Sequence, residues 1–195
     1  MELQGERLIP ASVDKTWASL NDPEVLRACI AGCETLERTG DNTMTAVVAL
    51  KVGPVSARFK GNLAMTNVVA PTSYTINFDG QGGVAGFGKG SADVALTPEP
   101  SPEGAEQTRL KYTARATVGG KMAQIGSRLI DATAGKITED FFKAFEAHLQ
   151  ASAAPGGAVV ATPAAAPLAA GASTTKLWWL IGAVVVAAVV YFMIR

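Results

Sequence analysis

The sequence predicts an α+β fold in which a meander of antiparallel strands is covered on one face by a long C-terminal helix. Three observations predict it. Segments of strict period-two alternation follow one another from Met44 to Val118, and helical periodicity then runs from Met122 to Leu149. The composition, 48% hydrophobic and 17% charged with 17 Lys+Arg against 17 Asp+Glu, suits a folded body. It excludes a disordered or collagen-like chain and a strongly basic nucleic-acid binder, so no nucleic-acid partner is expected.

Each element follows from its residues. Glu2 to Ile9 reads as a strand that Pro10 ends, and Ser12 is a good N-cap for a helix through Leu20, with Trp17 and Leu20 on its apolar side. A second short helix begins at Asp22-Pro23. In the meander, Met44, Ala46, Val48, Leu50 and Val52 share one face, as do Ala57, Phe59, Gly61, Leu63 and Met65. The same pattern recurs at Tyr74, Ile76 and Phe78, at Ala92, Val94 and Leu96, and at Leu110, Tyr112, Ala114, Ala116 and Val118. Strands with one oily face need a cover. Met122, Ile125, Leu129, Ile130, Ile137, Phe141, Phe142, Phe145 and Leu149 supply it on one long helix. The many small inward residues fit two arrangements, a cavity between helix and sheet or close packing of one on the other.

Three zones follow: a body of residues 1–150, an Ala/Pro/Gly-rich tether of 151–175 and an apolar terminus of 176–195. After Gln150 the only charges are Lys176 and Arg195, leaving fifteen bases against seventeen acids in the body. As a flexible coil of about 25 residues, the tether reaches roughly 25 to 30 Å. Leu177 to Ile194 carries no charge and is about the length that crosses a bilayer as a helix. Trp178, Trp179 and Tyr191 stand near its ends, with Lys176 and Arg195 outside them. A C-terminal transmembrane helix is therefore expected in addition to the α+β body. The start of the chain shows no basic region followed by an apolar one, so a body on the cytosolic side of the cytoplasmic membrane is expected, held by a single pass.

Cys29 and Cys33 are four apart, neither a redox pair nor a disulfide framework, and read as small apolar side chains. His148 is the sole histidine and cannot complete a zinc site, so no metal is expected.

The local motifs are more specific than the element order. Asp22-Pro23-Glu24-Val25-Leu26, Ile30-Ala31-Gly32-Cys33-Glu34, Val52-Gly53-Pro54-Val55 leading to Phe59-Lys60-Gly61, Gly86-Phe87-Gly88-Lys89-Gly90, and Gly119-Gly120-Lys121 with Gln124 to Asp131 resemble the family of carbon monoxide dehydrogenase G-subunits over the whole body. Ala31 stands where that family usually has proline. The resemblance implies a START-like, helix-grip fold of the SRPBCC superfamily, in order β-α-α-β6-α, and a lipophilic pocket between the last helix and the sheet. It also implies an accessory protein that holds the molybdenum CO dehydrogenase at the membrane. The apolar molecule such an oxidase needs is a respiratory quinone, menaquinone or ubiquinone, and quinone or another lipid is the expected ligand; no other cofactor is expected. A ligand-free tether, a general lipid carrier and a cyclase-like enzyme are the alternatives.

The pocket residues expected from the inward phases and the cover helix are Trp17, Leu26, Phe59, Phe78, Phe87, Tyr112, Met122, Ile125 and Leu129. Catalysis would require a cavity-facing acid or base. The inward phases offer mainly Tyr74, Tyr112, Cys29 and Cys33, so the protein is not expected to be an enzyme. Gly83 to Lys89 fits G-x-x-x-x-G-K, yet Gly90 follows where a Ser or Thr must reach magnesium, and a strand follows where a helix would hold phosphate. Those glycines instead suggest either a plain connection or a lid carrying Phe87 at its tip. Arg58, Lys60, Arg109, Lys111 and Arg115 share the outward phase and could form a basic stripe or an ordinary solvated face. Arg128 and Asp131 could pair with each other or face a partner.

Overall fold

A computed structural model describes residues 1–100, 104 and 106–153. The order is β1 (Glu2–Ile9), α1 (Val13–Leu20), α2 (Pro23–Cys29), β2 (Cys33–Gly40), β3 (Thr43–Val52), β4 (Val55–Val69), β5 (Ser73–Gln81), β6 (Phe87–Pro100), β7 (Glu106–Gly119), α3 (Lys121–Gln124) and α4 (Ser127–Ala153). The seven strands form one antiparallel sheet in the order β1-β7-β6-β5-β4-β3-β2. Thus β2 to β7 are a plain meander, and β1 joins its far edge by pairing Glu2 with Arg115 through Ile9 with Thr108.

Capping sets both short helices. The Ser12 hydroxyl accepts from the Lys15 amide at 3.3 Å, and the Asp22 carboxylate accepts from the Glu24 amide at 2.9 Å with Pro23 in the first turn. α1 and α2 fill the gap between β1 and β2, and α4 crosses the concave side of the sheet with its main contacts on α2, β1 and β3. At one end Ile9, Leu96, Leu110, Phe145 and Leu149 are 0 to 2% exposed and form the tightest part of the core. Each such side chain contributes about 1.5–3 kcal/mol of transfer free energy. The two buried polar side chains there are satisfied: Thr16 donates to Thr108 at 3.4 Å, and Thr108 donates to the Ala11 carbonyl at 2.7 Å.

The structure places one strand that periodicity leaves unmarked and corrects two expectations. β2 is a strand without a periodic signature, because only Leu36 among its eight residues is buried. The cover helix is two helices: Gly126 sits at φ +97°, a left-handed conformation that stops α3 and lets α4 start in a new direction. Finally, the transmembrane helix is not part of the fold class supported here. Among the described residues no helix is long and apolar enough to cross a membrane. The last described helix, α4, carries Arg128, Asp131, Lys136, Glu139, Asp140, Lys143 and Glu146, so it is amphipathic and packs on a sheet. The run expected to span, 176–195, and the tether from residue 154 onward lie outside the described residues, while residues 151–153 continue α4.

Candidate functional site: an apolar concave face

Register fixes which side chains share the concave face. Met44 pairs with Leu63, Leu63 with Phe78, Phe78 with Gly90 and Gly90 with Ala116, so one inward row runs across five strands. The next row contains Met65, Ile76, Ala92, Ala114 and Leu3, and the one after it Tyr74, Val94, Tyr112 and Gly5. Because side chains alternate, these rows face α4 and their neighbours face outward.

The buried apolar residues do not make one continuous core. They fall into three clusters: the tight end around Phe145, a second around Leu36, Met44 and Ala46, and a third around Val52, Ala85 and Met122. Between them lie Leu3, Ile76, Phe78, Gly90, Ala92, Ala114 and Ala116, all inward, mostly apolar, half-buried and part of none of the clusters. A domain of this size ordinarily closes one contiguous core. Here α4 makes its main sheet contacts on β1 and β3, toward the flanks, and the small residues in the middle of the sheet stay incompletely covered.

The residues chosen from sequence distribute among the three clusters and the middle between them. Trp17 and Tyr112 pack against the tight cluster, Leu26 against the second, and Phe59 and Ile125 against the third, in which Met122 is buried. Phe78 lies in the middle, half-buried. Two stand elsewhere. Phe87 occupies the outward phase between Gln81 and Gly119, with its ring against Gly119, so it does not hang over that middle. Leu129 is 41% exposed at the start of α4 and rests on the Gly53 hairpin. The turn before Phe87 is a short 3-10 segment, Gly83–Ala85, locked to the end of β7. Gly86 has φ +113°, and a Cβ there would come within 2.0 Å of the Gly119 carbonyl oxygen.

Sequence reasoning missed Arg7, a charged residue on the concave phase of β1. Its guanidinium bonds Glu139 on α4 and lies 5.5 Å from the Phe142 ring centroid, tying the β1 edge to the cover helix. Its Nε is buried without a partner among the described residues. The signal was a base in the phase of Leu3, Gly5 and Ile9. The outward bases, by contrast, are mostly neutralised. Arg109 holds Glu99 in two hydrogen bonds of 2.9 Å and also contacts Glu6, Arg58 binds Glu34 at 2.7 Å, Lys111 approaches Glu6 and Arg115 binds Glu2. The hydrogen-bonded Arg109 guanidinium holds Glu99 below the usual carboxylate range, and Glu34 raises Arg58. Of the two readings of these bases, the structure supports the solvated face, here ion-paired, with Lys60 outside its pairs. Arg128 and Asp131 are both exposed and make no ion pair with each other.

Burial raises the thiols of Cys29 and Cys33 and pushes the Tyr74 phenol well above its ordinary value, so all three are neutral groups. Tyr74 meets the edge of Trp17 with ring centroids 5.3 Å apart. No position of the three inward rows carries a carboxylate or histidine, and no cluster that could hold a metal exists among the described residues. A groove bordered by Thr75, Asp93, Lys111 and Thr113 of the other phase also reaches Tyr74, Val94 and Tyr112 of the third row.

The sequence profile of CoxG, the family of carbon monoxide dehydrogenase G-subunits, matches residues 5–150. The chain belongs to that family. No curated protein is similar to it at a significant level. Among solved structures it is similar to a conserved protein of Geobacillus kaustophilus, 31% identical with TM-score 0.71, over 78% of this chain and 97% of that one. It also resembles a Thermus thermophilus protein (19%, TM-score 0.57, 79% and 100% covered) and the Zhui aromatase/cyclase of a Streptomyces species (12%, TM-score 0.56, 82% and 99% covered). The last two show the fold alone, the START-like helix grip. In this CoxG-family chain the motifs that carried the resemblance sit mainly at turns. Gly32 meets the Ala49 carbonyl oxygen, the Gly53 hairpin meets α3 and α4, and Gly86 and Gly120 meet each other.

Proposed function

We propose that this CoxG-family protein is a non-catalytic accessory of CO dehydrogenase that carries a respiratory quinone, or another lipid, in the cleft between α4 and the sheet. It works at the cytosolic side of the cytoplasmic membrane. The family description supports the partner. One observation carries the ligand: a half-buried, mostly apolar middle separates three cores where a filled domain would have one. Water in such a cleft finds few partners, whereas an apolar ring or isoprenoid chain would bury the exposed halves of Ile76, Phe78 and the alanines. A cyclase-like reading has less behind it, since the three inward rows hold no carboxylate or imidazole to move a proton.

The test is organic extraction and mass spectrometry of residues 1–153 purified without detergent from quinone-producing cells. A quinone or lipid in near-equal molar amount is expected. A domain that arrives empty yet captures CO dehydrogenase from the same cells would leave a tether without cargo.

A further inference from the structure

One end of the body combines exposed apolar side chains with unpaired bases. The β3–β4 hairpin at Gly53, the turn Gly83–Ala85, the end of β7, α3 and the start of α4 converge there through Val52, Ala85 and Met122. Val84 protrudes from the glycine-flanked turn with 85% of its surface exposed, and Leu129 on the adjoining helix start is 41% exposed. On these segments and the strands that lead to them, Lys51, Lys60, Lys89, Lys121 and Arg128 are exposed and lie within 4 Å of no carboxylate among the described residues. Lys89 stands opposite Asp79 in the sheet register and Lys60 shares a groove with Asp79 and Glu37, whereas Lys51, Lys121 and Arg128 have only Asp131 on their own segments.

This contrasts with a body that is slightly acidic and pairs Arg58, Arg109, Lys111 and Arg115 with glutamates. The bases are also placed against the fold's interest. α4 has no acid in its first turn, and Arg128 sits there, so a cation meets the positive end of a 27-residue helix. An external anion would relieve that repulsion. Apolar tips amid a ring of bases match the boundary of a bilayer, where side chains enter the headgroup layer and bases meet anionic lipid. An acidic protein surface would use the bases but leave Val84 unexplained.

We propose that this end of the body docks on an anionic lipid bilayer, with Val84 and Leu129 entering the interface and the five bases facing the headgroups. The contact is separate from any attachment through the C-terminal run. It would turn the glycine-rich end of the cleft toward the membrane, a consequence that rests on the cleft reading, whereas the docking itself does not.

The Geobacillus relative is matched over 97% of its length by a region covering 78% of this chain, so the body alone is a complete folded unit there and residues 1–153 can be tested by themselves. They are sedimented with vesicles of phosphatidylcholine alone or of phosphatidylcholine and phosphatidylglycerol in equal parts. Binding is expected only to the second, weakening with salt. Lys121→Gln and Arg128→Gln should each lower partitioning about fivefold, as for one base lost near a charged surface. Val84→Ser should weaken it too, while Lys143→Gln, farther along α4, leaves it unchanged. Circular dichroism melts confirm that the variants are folded. Equal binding to both vesicle types, no binding to either, or indifference to the Gln variants overturns the proposal. So does loss of CO dehydrogenase capture in variants whose vesicle binding is intact, which assigns the surface to the enzyme. Extraction of the ligand is a separate readout, so an empty cleft and a failed docking are told apart.

Discussion

The two ends of the concave face are built on opposite terms. At one, Ile9, Leu96, Leu110, Phe145 and Leu149 leave almost no surface exposed and the two buried threonines bond each other. At the other, glycine turns hold Val52, Ala85 and Met122 in a small cluster from which Val84 and Leu129 project. The comparison teaches that this body concentrates its stability where the ends of β1 and α4 meet and leaves the opposite end free to exchange contacts. Half-buried Ile76, Phe78, Ala92 and Ala114 mark the transition.

The sharpest way to break this view is to weaken each end and compare. Phe145→Ala removes a fully buried ring stacked on Phe141 and should cost about 3–5 kcal/mol in urea unfolding. A loss under about 1 kcal/mol would mean the tight end does not hold the fold.

Alkaline pH probes the same end with a smaller effect. The folded state holds Tyr74 protonated well above its reference value of 10.0, so the unfolded chain loses that proton first. The stabilising difference is fully present below about pH 10 and is lost as pH rises from there toward the folded value, at about 1.4 kcal/mol per pH unit. Tyr74→Phe should flatten the fall in stability between about pH 10 and 11 relative to the parent. An identical alkaline limb in both proteins would mean that Tyr74 reaches water.

Phe78→Ala addresses the middle and should cost less stability than Phe145→Ala, about 1–2 kcal/mol, because the ring is only partly buried. Its larger effect is expected in the amount of quinone or lipid recovered by extraction. A stability cost equal to that of Phe145→Ala would show the middle to be closed core.

Much of this was legible in the sequence, and the failures are physical. Strands β3 to β7 announced themselves because each has one wet face and one apolar one, which is the period-two signal itself. β2 gave no such signal: as an edge strand with Glu34, Glu37 and Arg38 exposed, it carries the charges that keep an edge from pairing with another chain. Apolar spacing continues through Gly126, so periodicity joined two helices that a left-handed glycine separates. Phe87 reads from sequence as a pocket residue of the inward phase, but its phase is set by pairing with Gln81 and Gly119, which only the register reveals. For the outward bases the sequence leaves a stripe and a solvated face both open, because their partners Glu2 and Glu6 sit over a hundred residues away in sequence on β1. Arg7 was missed for the same reason.

That distant pairing has a consequence for how the chain is made. β1 precedes every other described element of the body, yet its strand partner in the sheet, β7, ends at Gly119, and the helix that its Arg7 grips follows after that. The meander from β2 to β7 can assemble hairpin by hairpin as it emerges, through contacts close in sequence. The opening strand must wait with its edge unpaired until the last strand arrives. Closure of the body is thus a late, long-range event, and a nascent chain stalled before residue 119 would present two open edges, the circumstance in which chaperone capture or pairing with a neighbouring chain is most expected.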